Sequence, residues 1–192
     1  MLKKYIYILL LVFVPFWANA QVHEIGAQIG FANYFGDLNY NASFVSVKPM
    51  GGIFYRTNFD ERWALKSSFN YGQLAFDDKL SKNDFNRQRN LHFKTDVMEL
   101  AAMLELNFLE FNKRKKDKRW SPYFTIGIAV FYFNPQAKLN NQWYYLQPLG
   151  TEGQTDFSYS GVKKYKLIDV AIPIGGGFKY SINKNWNIGV YG

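Results

Sequence analysis

Few side chains in this sequence could carry chemistry. It holds two histidines, His23 and His92, and no cysteine. A disulfide scaffold, a thiolate metal site, a cysteine nucleophile and a lipid-modified N-terminal cysteine are therefore excluded. His92 stands close to Lys94 and Asp96, and a histidine working with a serine and an aspartate is the constellation of a hydrolase or acyltransferase. The competing reading, which we favour, is an exposed polar residue at a strand start. Glu99 and Glu105 share one face of an alternating run but lie six residues apart. That is about 20 Å along a strand, beyond the separation glycoside hydrolysis needs. Gly175-Gly176-Gly177 lacks the lysine-serine pair and the helix of a phosphate loop, and reads as strand bending or crowding. The acidic residues are dispersed without calcium-loop spacing. No catalytic residue, cofactor, metal or small-molecule substrate is expected.

Two clusters point to binding instead. Residues 112–119 (NKRKKDKR) carry six basic side chains, Lys113, Arg114, Lys115, Lys116, Lys118 and Arg119, against one acid. They read either as a solvated turn meeting anionic headgroups or as an electrostatic dock for a partner. The long connection 134–165 holds Trp143, Tyr144, Tyr145, Leu146, Pro148, Gly150 and Glu152. Its aromatics argue against disorder, so it either caps the structure it belongs to or contacts a surface partner.

The elements that position these clusters follow from the chain's beginning. Two lysines, fourteen uncharged and mostly apolar residues at 5–18, and Ala18-Asn19-Ala20 have the layout of a cleaved export signal ending at residue 20. Fourteen residues as a helix reach about 21 Å, short of a hydrocarbon core of about 30 Å. Removing Lys3 and Lys4 lowers the formal charge from +8 to +6, and export argues against a nucleic-acid role despite the basic, aromatic-rich composition.

Beyond residue 20 the recurring period is two, the mark of strands with two different faces. Met98, Leu100, Ala102, Leu104, Leu106 and Phe108 alternate with Glu99, Ala101, Met103, Glu105 and Asn107. Similar runs begin near residues 25, 50, 63, 124, 168 and 186. The run at 50–57 has ambiguous faces, with Arg56 placed inward, and Pro173 is awkward inside a strand because it cannot donate to the ladder. Links at 58–62 and 181–185 are short, those at 35–48, 77–90 and 134–165 are long, and 109–122 is a longer basic turn. Short turns at one rim and long loops at the other are how outer-membrane barrels are organised. A soluble barrel would hide its apolar face; a membrane barrel turns it to lipid. The other face here is Gly, Ser, Asn and Gln with Glu24 and a charge set of Arg56, Lys66, Glu99, Glu105, Asp169 and Lys179. A narrow lumen would need such small residues so that its charges can pair, Glu99 and Glu105 with Lys66 or Lys179. The expected fold is an all-β, transmembrane, up-and-down antiparallel β-barrel over residues 21–192. Seven runs are countable where such barrels have even numbers from eight, so the expectation is a chain short of its closing strand.

The segments NYFGDLN (33–39), GGIFYR (51–56), RWALK (62–66), RQRNLHF (87–93), SPYFTIGIAVFYFNPQA (121–137) and LQPLGTEGQ (146–154) resemble the PorG family. These are outer-membrane barrels of the Bacteroidota type IX secretion and gliding machinery. The resemblance runs from about residue 24 to the end of the sequence. It implies a non-enzymatic outer-membrane protein that anchors or contacts a periplasmic ring lipoprotein of that apparatus. The family's final strand and its acidic, tyrosine-containing segment have no counterpart here. The alternatives are a stand-alone surface barrel of the adhesin or membrane-stabilising kind and an outer-membrane lipid-modifying enzyme.

Overall fold

The computed structural model describes residues 22–36, 46–80, 84–112, 115–150 and 164–192. The expected export signal, Lys113, Arg114 and Glu152 lie outside them. The described chain is all-β. Its strands are β1 (Val22–Ala32), β2 (Lys48–Asn58), β3 (Trp63–Asp77), β4 (His92–Asn107), β5 (Trp120–Phe133), β6 (Gln136–Leu139), β7 (Gln142–Tyr145), β8 (Ile168–Ala171), β9 (Ile174–Ser181) and β10 (Asn187–Tyr191). Chain neighbours pair antiparallel from β1 through β5, then β5 to β8 and β9, and β9 to β10. The sheet curls into a half-barrel.

The run from residue 168 to 181 forms one position in this wall, interrupted at Ile172-Pro173. β8 and β9 lie on the same edge of β5, with Val130↔Val170 and Ile126↔Ile174 in register. Pro173 has no N–H for the ladder. Its carbonyl still accepts from the Gly127 amide at 3.0 Å.

The two faces separate as the alternation requires. On the convex side apolar residues are exposed: Ile29 at 93%, Ile128 at 70%, Val170 at 73% and Val190 at 77%. On the concave side polar and charged residues are buried, among them Arg56, Lys66, Asn70, Glu105, Thr125 and Lys179. The ambiguous strand β2 resolves with Arg56 and Phe54 inward and Ile53 and Tyr55 outward. Phe54 fits because its β1 partner is glycine: a Cβ on Gly26 would collide with the Phe54 ring.

Both short turns are built alike. The Asp60 carboxylate accepts from the amides of Arg62 and Trp63 at 2.6 and 2.7 Å. The Asn183 side chain does the same for Asn185 and Trp186 at 2.8 and 2.9 Å. Such side-chain-to-backbone bonds replace ladder bonds at a turn, and each turn delivers a tryptophan to the strand edge.

At the opposite end β3 and β4 run on past their neighbours. The β2–β3 pairing stops at Met50↔Gly72, whereas β3–β4 continues to Asp77↔His92. There β6 takes over the edge of β4 that β5 has left, with Phe93↔Ala137 and Lys94↔Gln136, and β7 pairs β6. The hairpin β6–β7 turns on Asn140 and Asn141, both at positive φ (49° and 65°). Positive φ at both central residues is the signature of the two-residue turn whose twist matches a hairpin.

Polarity reverses in this extension. Within the wall the outward parity of β3 and β4 reads Leu65, Ser67, Phe69, Tyr71 and Met98, Leu100, Ala102, Leu104. Beyond Tyr71 and Met98 the same parity reads Gln73, Ala75, Asp77 and Asp96, Lys94, His92. The inward parity changes mostly the opposite way, to Leu74, Phe76 (buried), Phe93 and Val97, with Thr95 the polar exception.

Candidate functional site

The concave charge network is the most organised polar assembly among the described residues. Glu105 is fully buried on β4. Arg56 of β2 addresses both its oxygens, Nη2 to Oε1 at 3.0 Å and Nε to Oε2 at 2.9 Å, while Arg56 Nη1 donates to Glu24 of β1 at 2.9 Å. Lys179 of β9 donates to Glu105 from the other side at 3.2 Å, and Asn58 donates to Glu24 at 2.8 Å. Each of these links to Glu105 skips a strand, which only a tightly curled sheet permits. Buried charges need partners on every side to offset lost hydration, and here they have them.

The two lysines also rest on rings. The Lys179 ammonium lies 5.0 Å from the Phe111 ring and 5.2 Å from Tyr123. The Lys66 ammonium sits between Phe54 at 5.0 Å and Tyr191 of β10 at 4.1 Å. Cation–π contacts of this kind hold an ammonium where water is scarce.

The structure thus brings Arg56, Lys66, Glu105 and Lys179 together as the sequence suggests, with corrections. Lys66 contacts aromatic faces and forms no ion pair with Glu99 or Glu105. Glu99 stands six residues further along β4, accepting from Asn70 at 2.8 Å, and Asn70 in turn accepts from Gln28 of β1. Asp169 does not join the network: it pairs in register with Phe131, is exposed, and accepts from the Val170 amide at 2.8 Å. It stands level with Glu99 and Phe131 in the register and lines an open cavity with Phe133, Tyr165 and Lys166. With Asp169 apart, Glu24, Glu99 and Glu105 face Arg56, Lys66 and Lys179 on the concave side of the described wall.

At the short-turn rim the basic turn is tied to its neighbour. Glu61 accepts from Lys118 at 2.8 Å, Lys115 at 3.2 Å and the Asn112 side chain at 2.8 Å. Lys118 also pairs with Glu110. The hydrogen bonds from Lys118, Asn112 and Lys115 lower the Glu61 pKa to about 2, and bonds to Glu110 and Glu61 raise that of Lys118. Backbone bonds from Phe111 to Glu61 (2.8 Å) and from Ser181 to Arg119 (2.7 Å) complete the rim. Lys116 is exposed and Arg119 half-buried.

At the long-loop rim Trp143, Tyr144 and Tyr145 are exposed on β7. A short helix, Leu146–Leu149, contains Pro148 and ends on Gly150 at φ 63°. Leu146, Phe133, Pro135, Tyr165, Lys166, Ile168 and Asp169 line an open cavity of about 440 Å3. His92 meets Asp77 at 2.8 Å and Asn90 at 3.2 Å, with no hydroxyl among its described partners. The sequence reading missed the β6–β7 hairpin, though Asn140-Asn141 between two alternating tetrads was its signal, and missed the Glu61 hub, which no local spacing announces.

No curated protein and no solved structure matches the chain. One family model does, over residues 3–191. The chain belongs to the family described as a domain of unknown function (DUF6089).

Proposed function

We propose that the chain is an outer-membrane β-barrel protein, exported by a cleaved signal at residues 1–20, with its apolar convex face against lipid. On this reading it acts without catalysis, anchoring or contacting the periplasmic ring of a type IX secretion and gliding apparatus. The observation that carries the membrane reading is the polarity reversal at Tyr71 and Met98. Met98 and Phe108 are ten residues apart, about 33 Å along a strand and about 25 Å across a bilayer at a tilt of about 40°, the height of an outward apolar band. Aromatics stand at both limits: Tyr71 and Tyr132 beside Met98, and Trp63, Trp120 and Trp186 at the short-turn end. The side chains packed on the concave face, Arg56, Lys66, Glu105 and Lys179 among them, argue for an anchor over a pore, as small barrels are packed with side chains.

The secretion role rests on the family resemblance of the sequence segments and on the basic rim turn as a docking surface. Purification from detergent-solubilised outer membrane is the test. A periplasmic lipoprotein ring arriving with the chain, and failed export of type IX cargo after deletion, support it; recovery alone with normal export rejects it. A stand-alone barrel is the second reading, favoured by the capture of Lys115 and Lys118 in internal ion pairs, which leaves less charge for a partner.

A further inference from the structure

The cavity at the long-loop rim is bordered by two opposite charges that do not neutralise each other. Lys166 and Asp169 both line it, and neither has an ion-pair partner among the described residues. Asp169 accepts only from the amide of its own neighbour Val170, at 2.8 Å. The remaining lining is largely apolar, with Leu146 and Ile168 beside the rings of Phe133 and Tyr165. Those rings lie nearly parallel, 8° apart in plane with centroids 6.2 Å apart. The backbone holds the walls in place: the Phe133 amide donates to the Leu167 carbonyl and the Leu146 amide to that of Pro135, each at 2.9 Å. Phe133 is the last residue of β5 and pairs with Val97 on the inward parity, which sets the cavity at the long-loop mouth of the concave face.

Charge complementarity selects the occupant. A simple anion bound at Lys166 would face the Asp169 carboxylate, and a simple cation at Asp169 would face the Lys166 ammonium. A wholly apolar ligand would take both charges out of water and pair neither. A dipolar ion satisfies both at once, and an apolar group carried on it covers the rings. The two residues are three positions apart, at most about 11 Å between Cα atoms, so their side chains reach one small molecule from two sides. The volume of about 440 Å3 stands at the small end of ligand sites, which run from about 300 to 1,000 Å3. We infer that the cavity binds a free aromatic α-amino acid, its carboxylate on Lys166, its ammonium on Asp169 and its ring against Phe133 and Tyr165. The site does not rest on the anchoring role and adds a small-molecule ligand to the chain.

The experiment titrates the full chain, refolded in detergent micelles, with L-phenylalanine by isothermal titration calorimetry. Three analogues are run beside it: phenethylamine without the carboxylate, 3-phenylpropionate without the ammonium, and glycine without the ring. Phenylalanine is expected to bind, and each analogue to bind at least fivefold more weakly. Lys166→Gln should lower phenylalanine affinity about fivefold, the upper end for a partly exposed ion pair, and leave phenethylamine affinity unchanged or raised. Asp169→Asn should lower it similarly and leave 3-phenylpropionate affinity unchanged or raised. No binding of phenylalanine, or equal affinity for all four ligands, overturns the site. Phenylpropionate binding as tightly as phenylalanine overturns the dipolar assignment. Loss of phenethylamine binding in the Lys166 variant shows an effect of packing and overturns the role given to that charge. None of these outcomes bears on membrane insertion or on the secretion ring, which the purification above tests separately.

Discussion

Glu105 is the residue on which the concave face depends. It neutralises Arg56 and Lys179 at once from a fully buried position. Glu105→Ala would leave two buried cations short of a partner, a loss of about 3–5 kcal/mol. Glu99→Gln, which keeps an acceptor for Asn70, should cost about 1 kcal/mol. Unfolding from vesicles in urea, followed by loss of heat-modifiable migration, reads both. Glu61 makes the second residue-scale prediction. Its folded pKa of about 2 lies below the ordinary 4.5. The bonds it makes are therefore fully present above pH 4.5 and are lost as pH falls toward 2. Proteolysis within residues 109–119 should rise over that window, and Glu61→Gln should make it frequent and nearly independent of pH. Period two was enough to assign Lys66, Glu105 and Lys179 to one face, while Arg56 lies in a run whose faces it left ambiguous. It could not set their heights or partners, which is why Asp169 shares their parity but not their network.

At the scale of elements, the wall was legible and its outer extension was not. Alternation continues unbroken through β4, but what alternates changes at Met98, and a pattern scored only for period passes over that change. The β6–β7 hairpin is short, each strand four residues, and it is stable because β4 offers a vacated edge. Its turn needs positive φ at Asn140 and Asn141, which asparagine tolerates and β-branched residues do not. Asn140→Val with Asn141→Val should cost the hairpin about 2–4 kcal/mol, from about 1–2 at each residue. Amide exchange at residues 136–145 would report the melting. Asn141→Gly should leave exchange unchanged or slower. β4 and β5 should exchange as before in both.

For the whole molecule the governing fact is inversion: charge inside, hydrocarbon side chains outside. A position-dependent cost follows from a bilayer solvent. Ile128→Arg, midway along β5 and facing outward, should lower folding stability in vesicles by about 2–4 kcal/mol, while the same charge at Gln73, beyond the band, should cost about 0–1 kcal/mol. Equal effects at the two sites would remove the bilayer from the account. The sequence carried this inversion only through the chemistry of the second face, because period two is the same for a soluble sandwich and a membrane wall.

The break at Pro173 gives the wall an uneven grip. Below it, β9 is bonded on both flanks, to β5 and to β10 through Tyr191↔Gly177 and the Gly176–Gly192 pair. Above it, β8 resumes along the same edge of β5, from Ala129↔Ala171 to Tyr132↔Ile168. Pro173, with no N–H to give, interrupts the row of ladder bonds between the two segments. Opening of residues 168–171 is thereby uncoupled from the segment beneath, so one wall position holds two units that can part from β5 separately.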